Sequence, residues 1–312
     1  MNTQANTGLI KARELLMQGN SEQARKLLEE TLSKDLQNQE IIFTLKCATY
    51  WSQRLPGILQ LPTPLERGES LISQWNQFLD FISNSQCFEQ SIYSVKYGVF
   101  SLALENYQQL FNESNKAHKA EVFRKAGLCY KKLENFENAL NYLREANTLL
   151  PEHAPIIAEM ADCYALCGEE KISKVLFREA FYLDSQKIKL EFLESDLITT
   201  LICRVQEKGY EESVLKEWIP VYGVLFGILN IKRELKVFEF GKLKQTVFSL
   251  ENELKESGSN PAILIPRLIN HYFWLVDYHI NSNDGTRSRQ EINDILLKIK
   301  LLDPEIHAMY IA

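Results

Sequence analysis

Two pairs of residues have a spacing that could hold a metal ion. His271 and His279 stand eight residues apart with Asp277 between them, and Cys163 and Cys167 are related as i and i+4. On a helix, eight residues separate the imidazoles by ~12 Å along the axis, too far to share one zinc at bonds of about 2 Å. The cysteine pair is explained by packing, because Cys163 falls 34 residues after Cys129 inside a repeating pattern. In "HYFWLVDYH", Phe273, Trp274 and Tyr278 could stack a base, but at helical spacing they also form a core face. No phosphate-cradling glycine loop, G-x-S-x-G elbow or H-E-x-x-H is present. The expectation is a non-enzymatic protein without a cofactor or resident metal.

One charge cluster rises above background. Between Lys116 and Lys132 the chain carries Lys116, Lys119, Arg124, Lys125, Lys131 and Lys132 against a single acid, Glu121, in a protein of net charge −6. A solvated helix face would explain it, and so would a ligand of opposite charge. The overall negative charge argues against general nucleic-acid binding, which needs a basic footprint. The longest uncharged stretch, Trp218 to Ile231, has 14 residues with Pro220 inside, short of the roughly 20 that span a bilayer. It reads as a buried helix. The opening "MNTQANTGLIKAREL" has no continuous apolar core, so no secretory signal is expected. Six cysteines without a C-x-x-C pair suit a reducing compartment. The expected location is the cytoplasm.

The element that carries these cations has a second peculiarity. "AEVFRKAGLCYKKLENFENALNYLREANTLLP", residues 120–151, is strongly helical yet places Ala126, Gly127, Ala139 and Ala146 where core side chains belong. Shifted by 34 residues the pattern returns, with Gly127 over Ala161, Tyr130 over Tyr164, Leu143 over Phe177 and Ala146 over Ala180. Each unit holds two helices joined by a turn, "LENF" and then "CGEE". A fixed period of helix–turn–helix units is a solenoid signal. Small residues let two antiparallel helices approach closely, which predicts that Gly127 and Ala139 face each other within one hairpin. Glycine inside a helix costs ~1 kcal/mol against alanine, and close packing is the reason that could offset it.

These residues resemble the tetratricopeptide repeat family. Phe123, Ala126, Gly127, Tyr130, Ala139, Leu143, Ala146 and Pro151 stand at the family's signature offsets. The next unit follows with Ile157, Met160, Ala161, Tyr164, Ser173, Phe177, Ala180 and Ser185, where proline would be usual. Fainter matches include Gly98, Phe100, Ala103, Tyr107 and Leu110, then Ala12, Leu15, Gly19, Ala24, Leu28 and Thr31, and after a spacing slip Leu201 to Val221.

The resemblance implies an all-α, helix-turn-helix solenoid of six to eight hairpins with atypical ends. Residues 1–187 read as hairpins, with "LPGILQLPTP" (55–64) as an extended insertion. Residues 188–312 read as divergent helices packed on the first half, with a soft boundary near 188–195. In that second half, 231–256 should be one amphipathic helix with Leu235, Phe238, Leu243, Val247, Leu250 and Leu254 near one side. Turns are expected at 257–261 and 281–285, and 286–304 as a further helix.

In this family the first helix of each repeat lines a concave groove. The resemblance therefore implies that Arg124, Lys125, Leu128, Lys131 and Lys132 meet a partner, and a basic groove would favour an acidic peptide, a helix or a terminal carboxylate. The family's carboxylate clamp is not implied, because Leu128 and Asp162 occupy its asparagine places. The expected function is a scaffold, co-chaperone or assembly factor, with nucleic-acid or nucleotide-messenger binding on the helix over 116–132 as the competing reading.

Overall fold

The computed structural model describes residues 3–231, 233–281 and 285–312, and among them it is all-α, with fifteen α-helices and no strand. The chain divides into two compact units, Met1–Pro151 and Glu152–Ala312. The division falls between the two hairpins of the 34-residue tandem, upstream of the 188–195 boundary read from the sequence.

In the first unit, α1 (Thr3–Met17), α2 (Ser21–Leu32), α3 (Gln39–Leu59), α4 (Pro64–Ile82), α5 (Glu89–Gln108), α6 (Lys116–Lys132) and α7 (Phe136–Leu149) each pack against the next helix along the chain. Helix α5 also lies against α1. There the absent side chain of Gly98 matters, since a Cβ would stand 2.1 Å from the backbone oxygen of Leu16. Aromatic rings fill this unit's interior: Trp75 meets Phe78 and Phe100 at centroid distances of 5.5 and 5.6 Å.

The α6–α7 hairpin is built as its small residues require. A Cβ on Gly127 would lie 2.6 Å from Cγ of Leu143 and 3.2 Å from the Ala139 carbonyl oxygen, so the two helices meet where the sequence lacks bulk. The hairpin turn recurs as well. Glu134 has φ 62°, and Asn135 N–H donates to the Tyr130 carbonyl at 2.9 Å. Thirty-four residues on, Gly168 has φ 82° and Glu169 N–H donates to Tyr164 at 2.9 Å. Gly19 and Asn20 repeat the arrangement on Leu15, at 2.8 Å. A left-handed residue after the helix closes the last open carbonyls and turns the chain back.

Leu55 to Leu59 do not form an extended insertion. Helix α3 runs through Pro56 to Leu59, leaving only residues 60–63 outside helix before α4. An interior proline costs a helix ~3 kcal/mol. Leu55 and Ile58 are buried on that last turn, and each such side chain returns roughly 1.5–3 kcal/mol. Burial outweighs the lost hydrogen bond. Thr63 then starts α4 with a reciprocal cap, accepting from Glu66 N–H while Glu66 accepts from Thr63 N–H.

The second unit contains α8 (Ala154–Leu166), α9 (Glu170–Asp184), α10 (Asp196–Gln206), α11 (Glu212–Leu225), α12 (Val237–Glu253), α13 (Pro261–Asn281), α14 (Gly285–Leu302) and α15 (Pro304–Ile311). Helix α13 is its axis and packs against α11, α12 and α14. Pro261 opens it and Leu268, Ile269, Tyr272, Phe273, Trp274 and Val276 are buried on it, so the aromatic run is a core face. Asp303 caps α15, accepting from Glu305 and Ile306 N–H at 3.0 Å each. The stretch from Trp218 is buried as far as Gly223, but its helix ends at Leu225. No helix among the described residues is long and apolar enough to cross a membrane.

Helix α12 begins only at Val237, later than the amphipathic pattern predicts. Leu243, Val247 and Leu250 are its buried stripe, while Phe238 is 71% exposed. Five residues before Leu243, at 100° per residue, Phe238 lies well off that stripe. Phe240 takes the inner place and stacks on Tyr278 with centroids 3.7 Å apart. The turn expected at 281–285 rests on residues 282–284, outside the described set.

Candidate functional site

The residues expected to meet a partner all lie on α6. Arg124, Lys125, Leu128, Lys131 and Lys132 are between 0 and 5% exposed, so this is not the solvated face that a charge run normally forms. The Arg124 guanidinium donates twice to Glu121 one turn earlier, Nε at 2.8 Å and Nη2 at 2.5 Å. Lys125 donates to Glu69 on α4 at 2.7 Å. The same Glu69 carboxylate accepts from the Tyr107 hydroxyl at 2.8 Å. Burial and this carboxylate push the Tyr107 phenol far above its ordinary range.

The two metal-like pairs separate in space and environment. His271 is buried, and its Nδ1 is bound to the Arg267 carbonyl at 2.7 Å. His279 rests edge-on against Phe240. Cys163 is buried and Cys167 exposed. No group of three or more His, Cys, Asp or Glu side chains among the described residues could hold a metal ion.

A different place has the form of a binding groove. Helices α12 and α14 stand on either side of α13, leaving a trough of ≈ 560 Å³ floored by Tyr272 and Leu275. Its walls carry three large apolar side chains open to solvent: Phe248 at 66%, Leu297 at 56% and Leu301 at 77% exposure. Exposed leucines one at a time need no explanation, whereas several around one trough do. Lys244 sits on the α12 side, Glu291 and Asp294 on the α14 side.

Glu251 braces the trough. One of its oxygens accepts from the Tyr272 hydroxyl at 2.6 Å and from Lys298 at 2.7 Å, which ties the three helices together. Burial alone would raise this carboxyl, but the hydrogen bonds from Lys298 and Tyr272 outweigh it and hold the group below its usual range. The brace is preformed and ionised.

Sequence reasoning passed over this trough, although a signal exists. "EINDILLKIKLL" holds more apolar residues than one buried stripe of α14 can use. Ile295 and Ile299 are buried, and Leu297 and Leu301 are the surplus. No protein-family model matches the chain, and comparison with curated proteins likewise gives no match.

Proposed function

We propose that this chain is a non-enzymatic interaction module of tetratricopeptide-like hairpins, working in the cytoplasm, and that it holds an amphipathic helix of a protein partner in the α12–α14 trough. The observation that carries the reading is the cluster of Phe248, Leu297 and Leu301 around a trough whose floor is also apolar. Helix-in-groove recognition uses this arrangement, with apolar anchors at i, i+3 and i+4 docking between two helices. The rims specify the partner's polar edges: a cation opposite Glu291 and Asp294, an acid opposite Lys244.

The repeated hairpin turns and the Gly127 contact support the family resemblance from which a binding role was first read. The acidic-ligand version on α6 is less well supported. Arg124 and Lys125 already face Glu121 and Glu69, so an anionic ligand would have to displace carboxylates of the chain itself. The trough asks for no such exchange.

The test is quantitative capture from native lysate with the wild-type chain and with the double variant Phe248→Glu and Leu301→Glu, followed by direct binding of the captured protein's helical segments. The reading expects a saturable helix that the variant binds at least tenfold more weakly while its circular dichroism is unchanged. Equal binding by both chains would end the trough reading. Affinity for labelled RNA that falls steeply with salt would favour the nucleic-acid reading instead.

A further inference from the structure

On another side of α13 the second unit forms a half-open cavity of ≈ 210 Å³. Three carboxylates border it, Glu152 before α8, Glu179 on α9 and Glu239 on α12, against two cations, Arg233 and Lys242. Leu183, Leu235 and the ring of Tyr182 supply apolar wall.

The resident ion pairs are uneven, and one of the three is hydrogen-bonded. Glu239 is committed: it accepts from Arg233 at 2.9 Å and from the Lys236 N–H at 2.7 Å. That leaves Arg233 Nε 3.7 Å from Glu179, beyond hydrogen-bond reach, and Lys242 3.8 Å from Glu152. Among the described residues no hydrogen bond reaches the Glu179 carboxylate, although its side chain is only 24% exposed. Burial, together with the Glu239 and Glu152 carboxylates and against the pull of Arg233, raises its pKa.

A second acceptor faces the same space for a separate reason. His271 is 5% exposed and lines the cavity. Its Nδ1 faces a carbonyl oxygen, which can only accept, so the proton is on Nδ1 and the lone pair on Nε2. The opposite edge of this cavity-lining ring carries Nε2, and no hydrogen-bond partner meets that nitrogen among the described residues. Burial holds the imidazole down to about 4, so it stays neutral at physiological pH.

We propose that this cavity binds a small organic cation with N–H donors, a primary ammonium or a guanidinium, which donates to the Glu179 carboxylate and to His271 Nε2. The Glu179 carboxylate and His271 Nε2 are two acceptors that no donor of the described residues meets, and such a cation answers both at once while balancing the excess carboxylate. The Tyr182 ring adds a face over which a cation is attracted. A bare metal ion fits poorly, because no set of three ligating side chains is assembled.

The test titrates the purified full chain by calorimetry with butylammonium and butylguanidinium. Butanol serves as the uncharged control and tetramethylammonium as the cation without donors. Nitrogen NMR of the His271 imidazole reports on the second contact without a substitution. The expected result is saturable binding of at least one of the two N–H donors, at least tenfold weaker binding of both controls, and a shifted Nε2 resonance. Glu179→Gln, a near-isosteric change at a partly exposed site, should weaken binding at least tenfold. No saturable binding by either donor, butanol binding as well as butylammonium, tetramethylammonium binding as well as either donor, undiminished affinity in Glu179→Gln, or an unmoved Nε2 resonance would each overturn the proposal.

Discussion

Arg178 on α9 and Asp277 on α13 form an ion pair buried from solvent on both sides, joining segments 99 residues apart. The guanidinium also lies over Trp274, 5.0 Å from the ring centroid. Removing one partner of such a pair strands a charge in the interior and costs roughly 3–5 kcal/mol, whereas replacing both with well-packed apolar residues is often neutral. Asp277→Ala should therefore lower the urea stability of the second unit by ~3 kcal/mol or more. Arg178→Met with Asp277→Leu should recover most of it. If the single and double variants are equally destabilised, the pair is not what holds α9 to α13.

Gly127 and Gly241 are both interior helix glycines with opposite surroundings. A Cβ on Gly127 would press to 2.6 Å from Leu143, whereas on Gly241 it would meet nothing within 4 Å. Alanine is favoured over glycine by ~1 kcal/mol in helix interiors, and overpacking costs about 1–3 kcal/mol. Gly241→Ala should stabilise the chain by about 0.5–1 kcal/mol, and Gly127→Ala should destabilise it despite better propensity. Paired denaturation curves decide this, and a stabilised Gly127→Ala would refute the close-contact role.

His271 gives stability a pH dependence of known sign. Its folded pKa is held to about 4 by burial, while an unfolded histidine titrates near 6.5. Between those values the unfolded chain binds the extra proton, so stability is lost as pH falls from about 6.5 towards 4. Glu179, raised by burial, works in the opposite sense, gaining stability as pH falls through its own range. The other charges around the ring, Arg267 and Glu217 beside it and Glu152, Arg233, Glu239 and Lys242 across the cavity, are common to wild type and His271→Gln. Moving from pH 7.5 to 4.5 should therefore shift the stability difference between those two proteins by ~2–3 kcal/mol in favour of the variant. A pH-independent difference would mean that the imidazole titrates in the folded chain as it does in the unfolded one.

Sequence reading succeeded where the cause was local and failed where it was distant. Gly127 against Ala139 and the turns at Glu134 and Gly168 depend on neighbours within one hairpin, and their spacing makes them visible. The burial of Lys125 depends on Glu69, 56 residues away on α4, and nothing in a charge run announces such a partner. Pro56 misleads for a similar reason, since only the burial of Leu55 and Ile58 keeps that turn helical. The cavity at Glu179 and His271 joins residues about ninety positions apart and left no pattern in the sequence.

The trough is tested most directly by placing a photo-crosslinking phenylalanine at Leu301, with Phe238 as an exposed apolar control on the same unit, and identifying adducts formed in native lysate. The account predicts a protein adduct at position 301 that maps to one amphipathic helix of a partner, absent at position 238 and lost when Phe248→Glu is added. An adduct with a second copy of this chain, equal labelling at both positions, or labelling that survives Phe248→Glu would contradict it.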